Sequence, residues 1–161
     1  MSIPASTKIA LITGASSGIG AVYADRLAAR GYDLILVARR EDRLEALAAK
    51  ITQAYGREVQ TIGADLVNPA DLARVESLLA GNPAIQVLVN NAGLARLHPL
   101  AQSSVEDSTT QIALNITALT RLTHAALPGM LVRNEGLIIN VASVLGVHSL
   151  PVSSVYSGTK S

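Results

Sequence analysis

KIALITGASSGIGAVYADRLAARG, residues 8–31, is the stretch whose reading decides the fold. Lys8–Thr13 is a short apolar run without polar alternation, the pattern of a strand covered on both faces. Gly14, Gly18 and Gly20 punctuate the turn that follows, TGASSGIG (13–20), and helical spacing then aligns Val22, Leu27 and Ala28 as a buried face before Gly31 ends the helix. A strand, a glycine-rich turn and a helix in that order bring free N–H groups and the positive end of a helix dipole to the strand's carboxyl end, a place suited to phosphate. The spacing is G-x-x-x-G-x-G rather than G-x-G-x-x-G, and alone it suits a ligand-free turn nearly as well.

The same alternation continues outward. Apolar runs at 33–38, 58–63, 85–90 and 136–142 are separated by stretches of helical period, which predicts five parallel strands in a doubly wound α/β layer. The helix from Glu41 opens with two acids, presents Leu44, Leu47 and Ile51, and stops at Gly56. Asn68 is the expected N-cap of the next helix, with Pro69 first inside it and Gly81 after its end. A longer helix is predicted from about Val105 to Val132, with Pro128 bending or ending it. No linker, repeat or low-complexity segment divides residues 1–161, so a single domain is expected.

Composition removes several functional classes. Hydrophobic residues make up 49% of the chain and charged ones 16%, the balance of a folding globular chain. A net charge of +1, with neither Trp nor Phe, leaves little for nucleic-acid binding. The absence of cysteine removes disulfides and sulfur-ligated zinc, and His98, His124 and His148 lack metal-ligand spacing. The apolar runs are too short for a signal segment or a membrane span, so a cytoplasmic protein is the expectation.

Four motifs in fixed order, TGASSGIG, NNAG (90–93), Ser143 and YSGTK (156–160), together resemble the short-chain dehydrogenase/reductase family in its TGxxxGxG branch. The resemblance implies a Rossmann-type sheet that binds NAD or NADP and transfers hydride reversibly between nicotinamide and a carbonyl or alcohol. It assigns cofactor contacts to Gly14, Ser16, Ser17, Gly18, Ile19, Gly20, Asp65, Leu66, Asn91, Ala92 and Gly93. Its catalytic residues are Asn115, Ser143, Tyr156 and Lys160: the tyrosine handles the substrate's proton, the serine holds its oxygen, Asn115 joins a water-linked relay, and Lys160 also holds the nicotinamide ribose. Tyr156 is likewise expected against the cofactor. Independently of the resemblance, Tyr156 and Lys160 lie one helical turn apart, and an ammonium near a phenol whose ordinary pKa is about 10 favours the phenolate, as acid/base work at neutral pH requires. On its own the pair also fits a surface i,i+4 contact.

The second strand ends in LILVARRED, with Arg39 and Arg40 where an acid would bind the ribose 2′-OH of NAD. NADP(H) is therefore expected over NAD(H), with Arg39 as the leading contact to the 2′-phosphate. Partners expected from the resemblance are a small carbonyl or alcohol substrate and a second copy of the chain, in a homodimer or homotetramer. The competing reading is a nucleotide-sensing or scaffold protein that keeps the fold without catalysis. Because family members continue beyond the YxxxK motif, the 161 residues are expected to be an incomplete portion of a longer enzyme, inactive alone.

Overall fold

The apolar runs become strands, and the three at the centre of the sheet are buried on both faces. In a computed structural model, which describes residues 8–161 and leaves residues 1–7 of the expected domain outside the described residues, they form β1 (Ile9–Thr13), β2 (Asp33–Ala38), β3 (Val59–Gly63), β4 (Ile85–Asn90) and β5 (Leu137–Asn140). All pairings are parallel and the order is β3-β2-β1-β4-β5. Helices α1 (Gly18–Ala28) and α2 (Glu41–Tyr55) cover one face, α3 (Pro69–Gly81) and α5 (Leu119–Arg133) the other. Before α5 come α4 (Val105–Ile112) and a π-helical turn, Ala113–Ala118, and α6 (Ser154–Lys160) closes the order.

The period of two is what shares each strand between two cores. Ala10 and Ile12 of β1, with Leu34 and Leu36 of β2, pack towards α1 and α2, whereas Leu11, Ile35 and Val37 pack towards α3 and α5. In β4 the parity changes at a register shift: Ile9 pairs with Ile85 but Ala10 with Val87. Ile85 and Leu88 therefore enter the α3–α5 core while Val87 and Val89 enter the other.

Helix boundaries follow local chemistry with four corrections. Gly56 takes the left-handed conformation that stops α2, and the Asn68 side chain accepts from Ala70 N and Asp71 N to cap α3. Gly81 is the last helical residue of α3 rather than the one after it, and Asn82 caps it. In α1 the buried face is Gly20, Ala24, Leu27 and Ala28; Val22 is 58% exposed. Pro128 does not end α5, which runs on to Arg133 and a left-handed Asn134. His124, whose carbonyl loses its N–H partner there, lies on the exposed side, and Leu122, Ala126 and Met130 anchor the opposite side. Finally, the expected unbroken helix over 105–132 contains the π-helical turn.

Leu11 is fully buried at the middle of the central strand, where no neighbour can collapse into the space it leaves. Leu11→Ala should lower the unfolding free energy by about 2–5 kcal/mol, read as a lower urea midpoint at unchanged slope.

Candidate active site

The strand order reverses between β1 and β4. The chain leaves β1 for α1 on one face and leaves β4 for α4 and α5 on the other, so a crevice opens between their carboxyl ends. Buried Thr13, the last residue of β1, fastens its two sides. Its Oγ1 accepts from Asn91 N at 3.1 Å and Ala92 N at 3.0 Å and donates to Val89 O at 3.3 Å. The Asn91 amide returns the contact, donating from Nδ2 to Thr13 O at 2.9 Å and Gly14 O at 3.1 Å.

Two glycines make that approach possible. A Cβ at Gly14 would lie 2.8 Å from Asn91 Nδ2 and 2.9 Å from Ala92 Cα, and one at Gly20 would lie 2.5 Å from both Asn91 Nδ2 and Gly14 O. Gly18 has a different use. With φ +57° and nothing within 4 Å of where a Cβ would be, it turns the backbone at the start of α1 beside open space.

A cleft of about 270 Å³ lies along this edge, lined by Gly14, Ser16 and Ser17 on one side and by Asn91, Ala92, Gly93 and Leu114 on the other. Arg39, Arg40, Asp65 and Leu66 also line it. Of the residues expected at a cofactor, Gly18, Ile19, Gly20, Tyr156 and Lys160 stand outside this lining: Gly20 is buried in the first turn of α1, Ile19 is exposed beside Gly18 at the helix start, and Tyr156 and Lys160 lie on α6. Of the two arginines it is Arg40 that reaches the glycine loop, donating from Nη2 to Ser16 Oγ at 3.0 Å and Ser17 Oγ at 2.8 Å. Asp65 is fixed at the opposite lip. Its carboxylate accepts from Val67 N, and its own N–H donates to Asp71 Oδ2 at 2.9 Å. That N–H, with Arg74 adding to it, holds the Asp71 carboxyl below the usual carboxylate range against a smaller opposing effect of burial.

At the far end of NNAG stand two of the four catalytic candidates, Asn115 and Lys160. A Cβ at Gly93 would stand 3.4 Å from Asn115 Oδ1 and 3.5 Å from Lys160 Nζ, so both polar groups lie next to this end of the crevice. Lys160 Nζ donates to Val141 O, just past β5, at 2.9 Å, and burial pushes its pKa below the ordinary 10.5. Tyr156 is half-buried on α6, one turn before it. Ser143 Oγ accepts from Leu145 N at 3.2 Å, which leaves its own proton free to donate.

Asn115 is 2% exposed, not the solvent-facing residue its helix position alone suggests. It sits in the π-helical turn and clamps the backbone after NNAG, accepting from Leu94 N at 2.8 Å and donating to Leu94 O at 2.9 Å. Gln111, one turn earlier and equally buried, accepts from Arg96 N at 2.9 Å. Thr13, Gln111 and Thr159 were not singled out by the sequence. An i,i+4 pair of amides in a mixed helix is a weak signal for Gln111, and the other two are marked only by their places in TGASSGIG and YSGTK.

Gly20→Ala should push Asn91 out of the turn. The expected result is at least tenfold weaker nucleotide binding by titration, with a thermal midpoint several degrees lower. Wild-type binding by this variant would show that the crevice does not need the close approach.

Comparison with known proteins places this geometry. The short chain dehydrogenase family model matches residues 8–161. A very-long-chain 3-oxoacyl-CoA reductase-B of Danio rerio is 37% identical over 157 residues, which are 95% of this chain and 50% of that protein. A short-chain dehydrogenase from Sphingobium yanoikuyae, solved in complex with NADPH, superposes with a TM-score of 0.93 at 47% identity, over 95% of this chain and 60% of that one. A bulky-bulky ketone specific alcohol dehydrogenase from Comamonas testosteroni matches with a TM-score of 0.93 at 38% identity, over 96% of this chain and 62% of that one. The chain thus spans about half the length of the curated relatives it matches. With the motifs, the five-stranded sheet and the family match over residues 8–161 all in agreement, the chain belongs to the short-chain dehydrogenase family.

Proposed function

We propose that this chain carries the nucleotide site and the proton-transfer residues of an NADPH-dependent ketone reductase. The observation that carries the reading is a crevice lined by Arg39, Arg40, Ser16 and Ser17 at one end and by Gly93 at the other, with Asn115 Oδ1 and Lys160 Nζ beside that glycine. The cradle fits a dinucleotide: Gly14 and Gly20 admit no side chain, and Gly18 turns the start of α1 towards open space. The two guanidinium groups suit a 2′-phosphate dianion, and the Asp65–Leu66 lip suits the adenine. When bound, the cofactor supplies the hydride. The names of the relatives, a 3-oxoacyl-CoA reductase and a bulky ketone dehydrogenase, support a keto group on an extended substrate.

The remaining work falls to side chains. The Ser143 hydroxyl, oriented by Leu145 N–H, donates to the substrate's carbonyl oxygen and fixes it beside Tyr156. The Tyr156 phenol delivers the proton that this oxygen needs as hydride reaches the carbon, so ketone, hydride and proton balance to the alcohol. The Lys160 ammonium, one turn away, favours the phenolate left behind. A homodimer or homotetramer belongs to the same proposal: Ile112, Ile116, Leu127 and Leu131 are exposed along the helix that bears Asn115, an apolar surface for a second copy.

With the protein as its gene encodes it, NADPH should bind at least tenfold more tightly than NADH, and Arg40→Asp with Arg39→Asp should abolish that preference. Equal affinity of the unmodified protein for both cofactors would refute the assignment. Tyr156→Phe should lower turnover of a 3-oxoacyl-CoA probe by about 10²–10⁴-fold while NADPH still binds. Substantial turnover by this variant would remove the tyrosine from the mechanism.

A further inference from the structure

Thr159 lies inside YSGTK between the two residues with assigned chemistry, yet its hydroxyl is the busiest on the helix. It accepts from Asn115 Nδ2 at 2.9 Å and donates to Tyr156 O at 2.7 Å. The direction of both bonds is forced. An amide nitrogen only donates, and a hydroxyl has one proton, which the Tyr156 carbonyl takes. Both Nδ2 protons of Asn115 are then used, on Leu94 O and Thr159 Oγ1, while Oδ1 accepts from Leu94 N. A continuous chain of bonds therefore runs from the backbone after NNAG, through the π-helical turn, to the backbone of Tyr156.

On the reading of the site given above, we propose that Thr159 is a positioning residue that sets the rotation of α6 and thereby aims Tyr156 and Lys160 into the crevice. Successive helical residues point about 100° apart. Thr159 ties α6 to the π-helical turn while Lys160, the next residue, ties it to Val141 O past β5. Two anchors in different directions prevent rotation about the axis, which one alone would allow. Rotation matters because catalytic side chains tolerate only about 10–20° of misorientation. Seven residues are too few for a helix to hold itself, so α6 depends on such ties.

The test compares Thr159→Val, which keeps the shape and loses the hydroxyl, with Thr159→Ser, which keeps the hydroxyl, in the protein as its gene encodes it. Reduction of acetoacetyl-CoA and of a bulky aryl ketone by NADPH is measured beside amide hydrogen exchange across residues 154–160. The valine variant should lose about 10- to 100-fold in kcat, with KM for NADPH changed less than threefold and faster exchange in α6. The serine variant should stay within threefold of wild type on every readout. Wild-type kcat and protection in Thr159→Val would overturn the proposal, as would a serine variant as impaired as the valine one. Should the unmodified protein bind NADPH yet reduce neither probe, the enzymatic reading fails, and exchange still decides the role of Thr159: faster in valine alone supports it, unchanged in valine overturns it.

Discussion

The contact on which the crevice depends is the exchange of hydrogen bonds between Thr13 and Asn91. Parallel ladders end at Thr13 and Asn90, and beyond them the two chains depart to opposite faces of the sheet. Regular structure does nothing to keep the loops after β1 and β4 together. One buried hydroxyl serves three backbone groups, and one amide serves two carbonyls of the glycine turn. Without the hydroxyl, Ala92 N–H would lose its partner, at about 1–3 kcal/mol where burial excludes water, and Asn91 N–H would be left with Val89 O alone. The glycines follow from this contact: Gly14 and Gly20 have no side chain because Asn91 occupies the space. The spacing G-x-x-x-G-x-G thus reflects what packs behind the loop, while Gly18 alone reflects what lies in front of it.

Much of this was legible because strands covered on both faces leave a plain mark. β2 and β4 have the limits that their apolar runs suggest, and the caps at Gly56 and Asn68 follow from backbone chemistry that acts within a few residues. What escaped depends on distant partners. Val22 is the exception, since it stands five and six residues before Leu27 and Ala28, off the i, i+4, i+7, i+8 stripe of Gly20, Ala24, Leu27 and Ala28. Pro128 would end an isolated helix; α5 continues because the carbonyl that loses its N–H partner, that of His124, faces water and its apolar side is already committed to the core. The π-helical turn has no local signal, since it answers the need of a buried amide to meet Leu94 and Thr159, 21 and 44 residues away.

The two ends of the crevice are built by opposite means. At the nucleotide end, charge sits at the surface: Arg39 and Arg40 are exposed, and Arg40 is held by two serine hydroxyls rather than by an acid. A guanidinium so placed keeps its full charge for an incoming anion, whereas a salt bridge would already have neutralised it. At the catalytic end the polar groups are sunk and joined to backbone. Asn115 and Gln111 fix the segment from Leu94 to Arg96, the wall that follows NNAG.

Lys160 shows what that second arrangement costs. Burial lowers its pKa below 10.5, so the unfolded chain holds this proton more tightly than the folded one. Stability from this group therefore rises with pH between the lowered value and 10.5, and below that window the buried ammonium opposes folding. A neutral residue of similar shape would pack there without such opposition, and a lysine in full solvent would keep its ordinary pKa. A partly desolvated ammonium with one carbonyl partner, Val141 O, acts through a lower dielectric and keeps two donors uncommitted. In the proposed mechanism, the burial that weakens the fold at neutral pH holds this ammonium beside α6 with protons still to offer, and the ties of α6 to its neighbours are the means by which the fold bears it.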